Sequence, residues 1–340
     1  MSTTDEDVLG SFERFFVERV APRAGEMDRD STVLRTVFEE FKQQGGLKLR
    51  VPVSQGGSML SERDYADYRV QLARYGGSLS FLQAQHQVAV TWLSRSTEHE
   101  AIGSLYQRIV QDGMGLGIGF LSARHPAFEI EHRDGAYVLS GDIPWVTGHG
   151  FLQQVVTSFE HDGRRHFTLL PFHATSVDGG QVSYSEPVSL IVFNALNTVR
   201  AHLDNWLVRY DQVFLSVPID PEQVPERHNS VFTLAGACRG LQDQVDQLPS
   251  LPDGMQAEYH RLTERLDRYT EAIMVDGGSP SVLRAEAVEL AKDWSSLARW
   301  AYGGKALLQD HPVNRLARES WQYGVTGLRS GDLEAIYPPC

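Results

Sequence analysis

The chain has 340 residues, with 31 Lys and Arg against 44 Asp and Glu, a formal charge of −13. Apolar residues at 41% and charged residues at 22% are ordinary globular proportions, and the length suits roughly two or three domains with a sizeable core. The acidic balance argues against a phosphate backbone or an anionic membrane surface as the main partner, and two cysteines, Cys238 and Cys340, are too few for a disulfide framework or a multi-cysteine metal centre.

From about Asp7 to Gln111 the apolar residues keep a helical period. Phe12, Phe15, Phe16, Val20 and Ala21 recur at three- and four-residue steps, as do Leu34, Val37, Phe38 and Phe41. Gly76-Gly77 follows a helical run from Tyr65 to Tyr75, as a C-terminal cap would. Helices are expected again over Phe81–Ser94 and His99–Gln111. Met1–Asp7 is acidic where a signal peptide would be basic, and no apolar run approaches 18 residues, so a cytoplasmic protein without membrane insertion is expected.

From Gly113 to about Val217 short β-type runs replace the helices: Ala136–Ser140, Gln154–Phe159, His166–Leu170 and Gln212–Val217. Turn signals such as Asp134-Gly135 and Asp162-Gly163 separate them. Beyond Pro225 the helical period returns, most clearly over Val282–Tyr302, where Pro280 is placed to be the first helical residue. The expected architecture is an α+β multi-domain chain. It has an N-terminal helical domain (1–112), a middle antiparallel β domain of barrel or sandwich type (113–220) and a C-terminal four-helix bundle (221–340).

Most chemical motifs fail on context. Gly113–Gly119 is glycine-rich, yet it runs into further strands instead of opening a helix, so a dinucleotide loop is not expected there. Twelve histidines include no pair at helical ligand spacing, so no metal is expected. The segment Gly141-Asp-Ile-Pro-Trp-Val-Thr-Gly148 is more informative, because it ends a strand inside a β block flanked by two helical blocks.

With that α–β–α order the sequence resembles the acyl-CoA dehydrogenase superfamily. Gly46–Gly57 is similar to its first helix-to-helix connection, and Gly135–Thr147 to its "G-Y-x-L-x-G-x-K-x-W-I-T" hairpin. Leu234–Gly240 resembles the first helix of its C-terminal bundle, and Tyr302–Glu319 its late "G-G … R … R-[DE]" stretch. The resemblance implies FAD between the β domain and the bundle. Trp145 would then cover the isoalloxazine ring, Val146 would belong to the same cofactor-binding stretch, and Thr147 would hydrogen-bond near the N5 edge. Leu121 and Ser122 would meet the pyrimidine side. Gly303 and Gly304 would let backbone approach the dinucleotide of a neighbouring subunit in a homodimer or homotetramer.

The same resemblance exposes departures. Removing an α-proton from an acyl thioester is general-base work and needs a carboxylate. The two family positions for that Glu fall on Gly327 and Ser230, with Asp332 and Glu334 five and seven residues beyond the first. Ser122–Phe128 replaces an acidic loop, Trp300 stands where a Gln is usual, and the Arg-x-x-Phe-Gly segment that meets the FAD diphosphate is missing. Leu248–Gly254 and a charged helix over Met255–Thr270 take its place. The leading expectation is an FAD-dependent oxidoreductase that oxidises an acyl thioester, carried on CoA or an acyl carrier protein, at its α,β carbons. The alternatives are a flavin-dependent monooxygenase of the same fold, which needs no α-carbon base, and a non-catalytic homologue kept for oligomerisation or partner binding.

Overall fold

Two buried phenylalanine pairs, Phe12 with Phe16 and Phe38 with Phe41, start the core, because the helices that carry them present their apolar stripes to one another. The structure, a computed structural model, describes residues 5–96, 99–120, 128–219, 229–275, 279–327 and 330–336. Helix α1 (Asp5–Phe15) continues as a π-turn to Val20 and is followed by α2 (Ala24–Met27) and α3 (Ser31–Gln43). Asp30 starts α3 by accepting the Thr32 N–H at 2.7 Å, and Ser61 starts α4 (Glu62–Tyr75) by accepting that of Asp64 at 3.1 Å. Helices α5 (Gly77–Leu93) and α6 (His99–Asp112) complete the helical region.

Gly76 ends α4, but with φ −157° it is extended and not a left-handed cap. Its requirement for glycine is steric: a Cβ there would lie 2.3 Å from Val20 Cγ1. Helix α5 is buried on nearly every side, and its His86 ties it to the next region. The His86 Nδ1 accepts the Leu116 N–H at 3.0 Å, so Nε2 carries the proton and donates to the Leu47 carbonyl at 2.9 Å. Burial lowers the pKa of this imidazole to about 4 and keeps it neutral.

The strands are β1 (Leu116–Phe120), β2 (Phe128–Arg133), β3 (Ala136–Val146), β4 (Gln154–His161), β5 (Arg164–Pro171), β6 (Thr175–Val177), β7 (Gly180–Tyr184), β8 (Val199–Arg209) and β9 (Leu215–Pro218). They form two sheets, ordered β1-β4-β5-β9 and β2-β3-β8-β7-β6. Asp-Gly pairs close the tight hairpins: Asp162 and Gly163 have φ 48° and 70°, and Asp178 and Gly179 have φ 51° and 81°. One pair departs from the antiparallel expectation. Strand β1 runs parallel to β4, because the chain leaves the first sheet for β2 and β3 and re-enters it in the same direction. Gly119 of β1 permits the approach of β3, since a Cβ would stand 3.0 Å from Val146 Cγ2.

The C-terminal region contains α7 (Asn229–Asp246), α8 (Asp253–Met274), α9 (Pro280–Tyr302), α10 (Pro312–Val325) and the short α11 (Ser330–Ile336). Pro280 opens α9, and Ala287, Leu290, Ala291, Trp294, Leu297 and Ala298 form its buried stripe. Helix α7 packs on α4, α9 and α10 and so joins the bundle to the N-terminal helices. At Gly236 a Cβ would fall 2.3 Å from the Val70 carbonyl oxygen. No helix among the described residues is long and apolar enough to cross a membrane.

Candidate functional site

Strand β3 buries Ile143 and Val146 but leaves the Trp145 indole 60% exposed between them. A large flat aromatic group left open at a strand end is a platform that the chain does not cover with its own atoms. Thr147 follows, buried, with its hydroxyl 3.0 Å from that of Thr198. A hydroxyl donates once and accepts twice, so this pair keeps capacity for a further polar partner. The chain then turns at Gly148, where φ is +99° and the N–H donates to the Leu196 carbonyl at 2.9 Å.

The segment from Ser185 to Thr198 lies behind this turn and is anchored from both helical regions. Asp28, after α2, accepts the Phe193 N–H on Oδ1 at 2.8 Å. Arg318 of α10 donates to the Ile191 carbonyl at 2.6 Å and pairs with Asp28 Oδ2 at 2.9 Å. Phe193 sits at φ +60° and packs its ring between Phe81 of α5 and Tyr323 of α10, with centroids 5.2 and 5.7 Å away. The loop that meets Thr147 through Thr198 is thus held by both helical regions.

Next to the aromatic cluster lies Glu319 of α10, fully buried, with Oε1 held by Arg315 at 2.6 Å and Oε2 without a hydrogen-bond partner among the described residues. Burial, partly offset by Arg315, raises its pKa to about 7. The sequence marks Glu319 only as the end of a motif; its burial depends on α5, far away along the chain. Thr198 and Asp28 carry no local sequence signal at all.

The other expected residues divide as follows. Leu121 and Ser122 lie outside the described residues. Gly303 and Gly304 open the turn between α9 and α10, both exposed, and a Cβ on either would meet no atom within 4 Å. Gly303 needs to be glycine for its φ of +58°, and the close backbone approach expected of the pair is not one that this chain makes to itself. Trp300, in the preceding turn, is 80% exposed.

None of the expected base positions supplies a free carboxylate. Gly327 ends its turn at φ +63°, and its carbonyl accepts from Arg284 at 3.3 Å. Ser230 buries its hydroxyl in the first turn of α7. Asp332 is fully buried and committed, accepting the Ser281 hydroxyl at 2.7 Å and facing Arg284 at 3.5 Å. Glu334 is exposed.

Residues 2–109 match the family model for the N-terminal domain of acyl-CoA dehydrogenases. The chain is 29% identical over 158 residues to benzylmalonyl-CoA dehydrogenase of Aromatoleum aromaticum; the matched stretch covers 42% of this chain and 41% of that protein. Among solved structures it is similar to nitrososynthase from Micromonospora carbonacea var. africana, with a TM-score of 0.78 at 17% identity over 97% of this chain and 95% of the other. It is also similar to glutaryl-coenzyme A dehydrogenase in its glutaryl-CoA complex, with a TM-score of 0.76 at 14% identity over 95% and 91%. At these identities the two structures establish the shared fold.

Proposed function

We propose that the chain, which matches the N-terminal domain of acyl-CoA dehydrogenases over residues 2–109, is a flavin-dependent oxidoreductase of that superfamily with its ring-binding platform at Trp145. The observation that carries the reading is the exposed indole of Trp145 two residues from the buried Thr147–Thr198 hydroxyl pair. A flat cofactor needs an aromatic cover and a few fixed polar contacts, and this strand end offers both. Bound here, a flavin supplies two-electron redox chemistry. Trp145 would cover the ring, Val146 anchors the end of the strand in the core, and Thr147, paired with Thr198, would hydrogen-bond to the cofactor.

FAD is the flavin implied by the resemblance. The outward-facing Gly303 and Gly304 suit contact with the dinucleotide of a neighbouring copy, which makes a homodimer or homotetramer part of the proposal. A cytoplasmic location goes with it, since a composition with two cysteines suits a reducing compartment.

The reading of the reaction class rests on the expected base positions. With Gly327 and Ser230 at the base positions and Asp332 locked to Arg284, monooxygenase-type chemistry without proton abstraction from an α-carbon fits these residues best. Oxidation of an acyl thioester at the α,β carbons, on CoA or a carrier protein, is the second reading, favoured by the match to benzylmalonyl-CoA dehydrogenase. A visible spectrum of the purified protein, with the released cofactor identified, tests the flavin. Anaerobic addition of acyl thioesters then separates the two readings, because bleaching of the flavin band requires the second. A chain that stays colourless when FAD is added would reject both.

A further inference from the structure

The Ser185–Thr198 segment carries two non-glycine residues in the left-handed region, Phe193 at φ +60° and Asn197 at φ +50°. A bulky aromatic residue rarely adopts that conformation, and it persists only where its surroundings over-determine it. Here they do. The Asp28 carboxylate is 3% exposed and takes the Phe193 N–H on one oxygen and Arg318 on the other. The Asp28 carbonyl accepts from Ala195 at 3.3 Å, and Arg318 also reaches the Ile191 carbonyl, with Nε on Asn314 Oδ1 at 2.9 Å. One acid from the N-terminal helices and one base from the bundle thus grip the same stretch of a loop that belongs to the β region.

The far end of that loop sets the position of Thr147. Beyond Phe193, Leu196 accepts the Gly148 N–H, Asn197 accepts that of His149 at 3.3 Å and returns its own amide to the His149 carbonyl at 3.2 Å, and Thr198 meets Thr147. Every polar contact just named across the turn after Thr147 comes from residues 196–198, immediately past the gripped stretch.

We propose that Asp28 and Arg318 are positioning residues for the flavin edge: by locking Phe193 in its left-handed conformation they fix Thr198, and through it the Thr147 hydroxyl. The inference rests on the flavin reading above. It gives the fold a means by which the helical regions on either side act on a site built from β strands, without touching the cofactor themselves.

The test is FAD titration of the full-length chain by fluorescence, together with the position of the visible band, in Asp28→Ala, Asp28→Asn, Arg318→Gln, Trp145→Ala and Thr147→Val. Asp28→Ala and Arg318→Gln are each expected to weaken FAD binding at least tenfold and to shift the band. Asp28→Asn keeps an oxygen for the Phe193 N–H and is expected to recover most of the affinity, a rescue that general loss of packing would not produce. Should Asp28→Ala fail to fold, Arg318→Gln decides, because that side chain is partly exposed and its loss leaves the Asp28–Phe193 bond in place. Wild-type affinity and band position in Arg318→Gln, with both altered in Thr147→Val, would overturn this inference alone. Wild-type binding in Trp145→Ala and Thr147→Val as well, or no FAD binding by the wild-type chain, would overturn the flavin reading and this inference with it.

Discussion

The carboxyl group of Glu319 lies against the α-carbon of Gly77, so closely that a Cβ on Gly77 would stand 2.3 Å from Glu319 Cδ. The contact fixes α10 against the start of α5, and Tyr323, one turn further along α10, reinforces it by donating to the Gly77 carbonyl at 3.1 Å. Gly77→Ala must displace a buried, Arg-paired carboxylate, and overpacking of this kind costs about 1–3 kcal/mol. Glu319→Ala removes the obstruction but leaves Arg315 without its acid. In the Gly77→Ala/Glu319→Ala double variant the two losses are expected to fall short of their sum by about 1 kcal/mol or more. Urea unfolding of the four proteins measures this coupling, and strict additivity would mean that the two groups do not meet.

The pH dependence of stability divides between Glu319 and His86. The folded state raises Glu319 from its ordinary 4.5 to about 7, so its neutral form is favoured and stability declines as pH rises from 4.5 to 7. His86 is lowered from 6.5 to about 4, so stability declines as pH falls from 6.5 to 4. Each effect is on the order of 3 kcal/mol, and between pH 4.5 and 6.5 they oppose one another. Glu40, lowered to about 2 by Arg19 and Arg23, acts on the acid side of that window. Glu319→Gln should therefore expose a stability that climbs with pH from 4.5 to 6.5, where the wild-type chain is nearly level. A Glu319→Gln profile parallel to wild type over this range would show that folding does not raise the Glu319 pKa.

Elements whose causes are local were legible in the sequence. The apolar period of α9, Pro280 at its first position and the Asp162-Gly163 hairpin all depend on neighbours within a few residues. The strand that leads to Trp145 was legible for the same reason. The contacts that surround the proposed site were not. Thr147 meets Thr198 across 51 positions, and Asp28 meets Phe193 across 165, and no periodicity records such pairings. His86 was one histidine among twelve on a helix buried nearly all round, where the apolar period carries little information. Gly76 was legible as a breaker but not for its cause, the Val20 side chain packed against it.

Asp332 tests the reading of the missing base. Its carboxylate belongs to a buried network in which Arg284 also donates to the carbonyls of Gly324 at 2.8 Å and Thr326 at 2.7 Å, tying α9 to the end of α10. Breaking one partner of a buried ion pair costs about 3–5 kcal/mol when the other charge is left behind. Asp332→Asn is expected to lower stability on that scale and to leave any thioester-driven bleaching of bound flavin unchanged per folded molecule. Loss of bleaching at full flavin occupancy would instead make Asp332 the proton acceptor.

The Thr147–Thr198 pair allows stability and cofactor binding to be separated. Both hydroxyls are buried, so removing one leaves the other without its partner, at a cost of about 1–2 kcal/mol. Replacing both with valine removes donor and acceptor together and keeps the shape, so Thr147→Val/Thr198→Val should be more stable than either single variant and close to wild type. Flavin affinity should follow a different order. It should fall in Thr147→Val, fall less in Thr198→Val, where the Thr147 hydroxyl survives but is no longer aimed, and stay low in the double variant despite its restored stability. A double variant that regains flavin affinity along with stability would show that the Thr147 hydroxyl serves packing alone, and the polar contact at the flavin edge would then have to come from another residue.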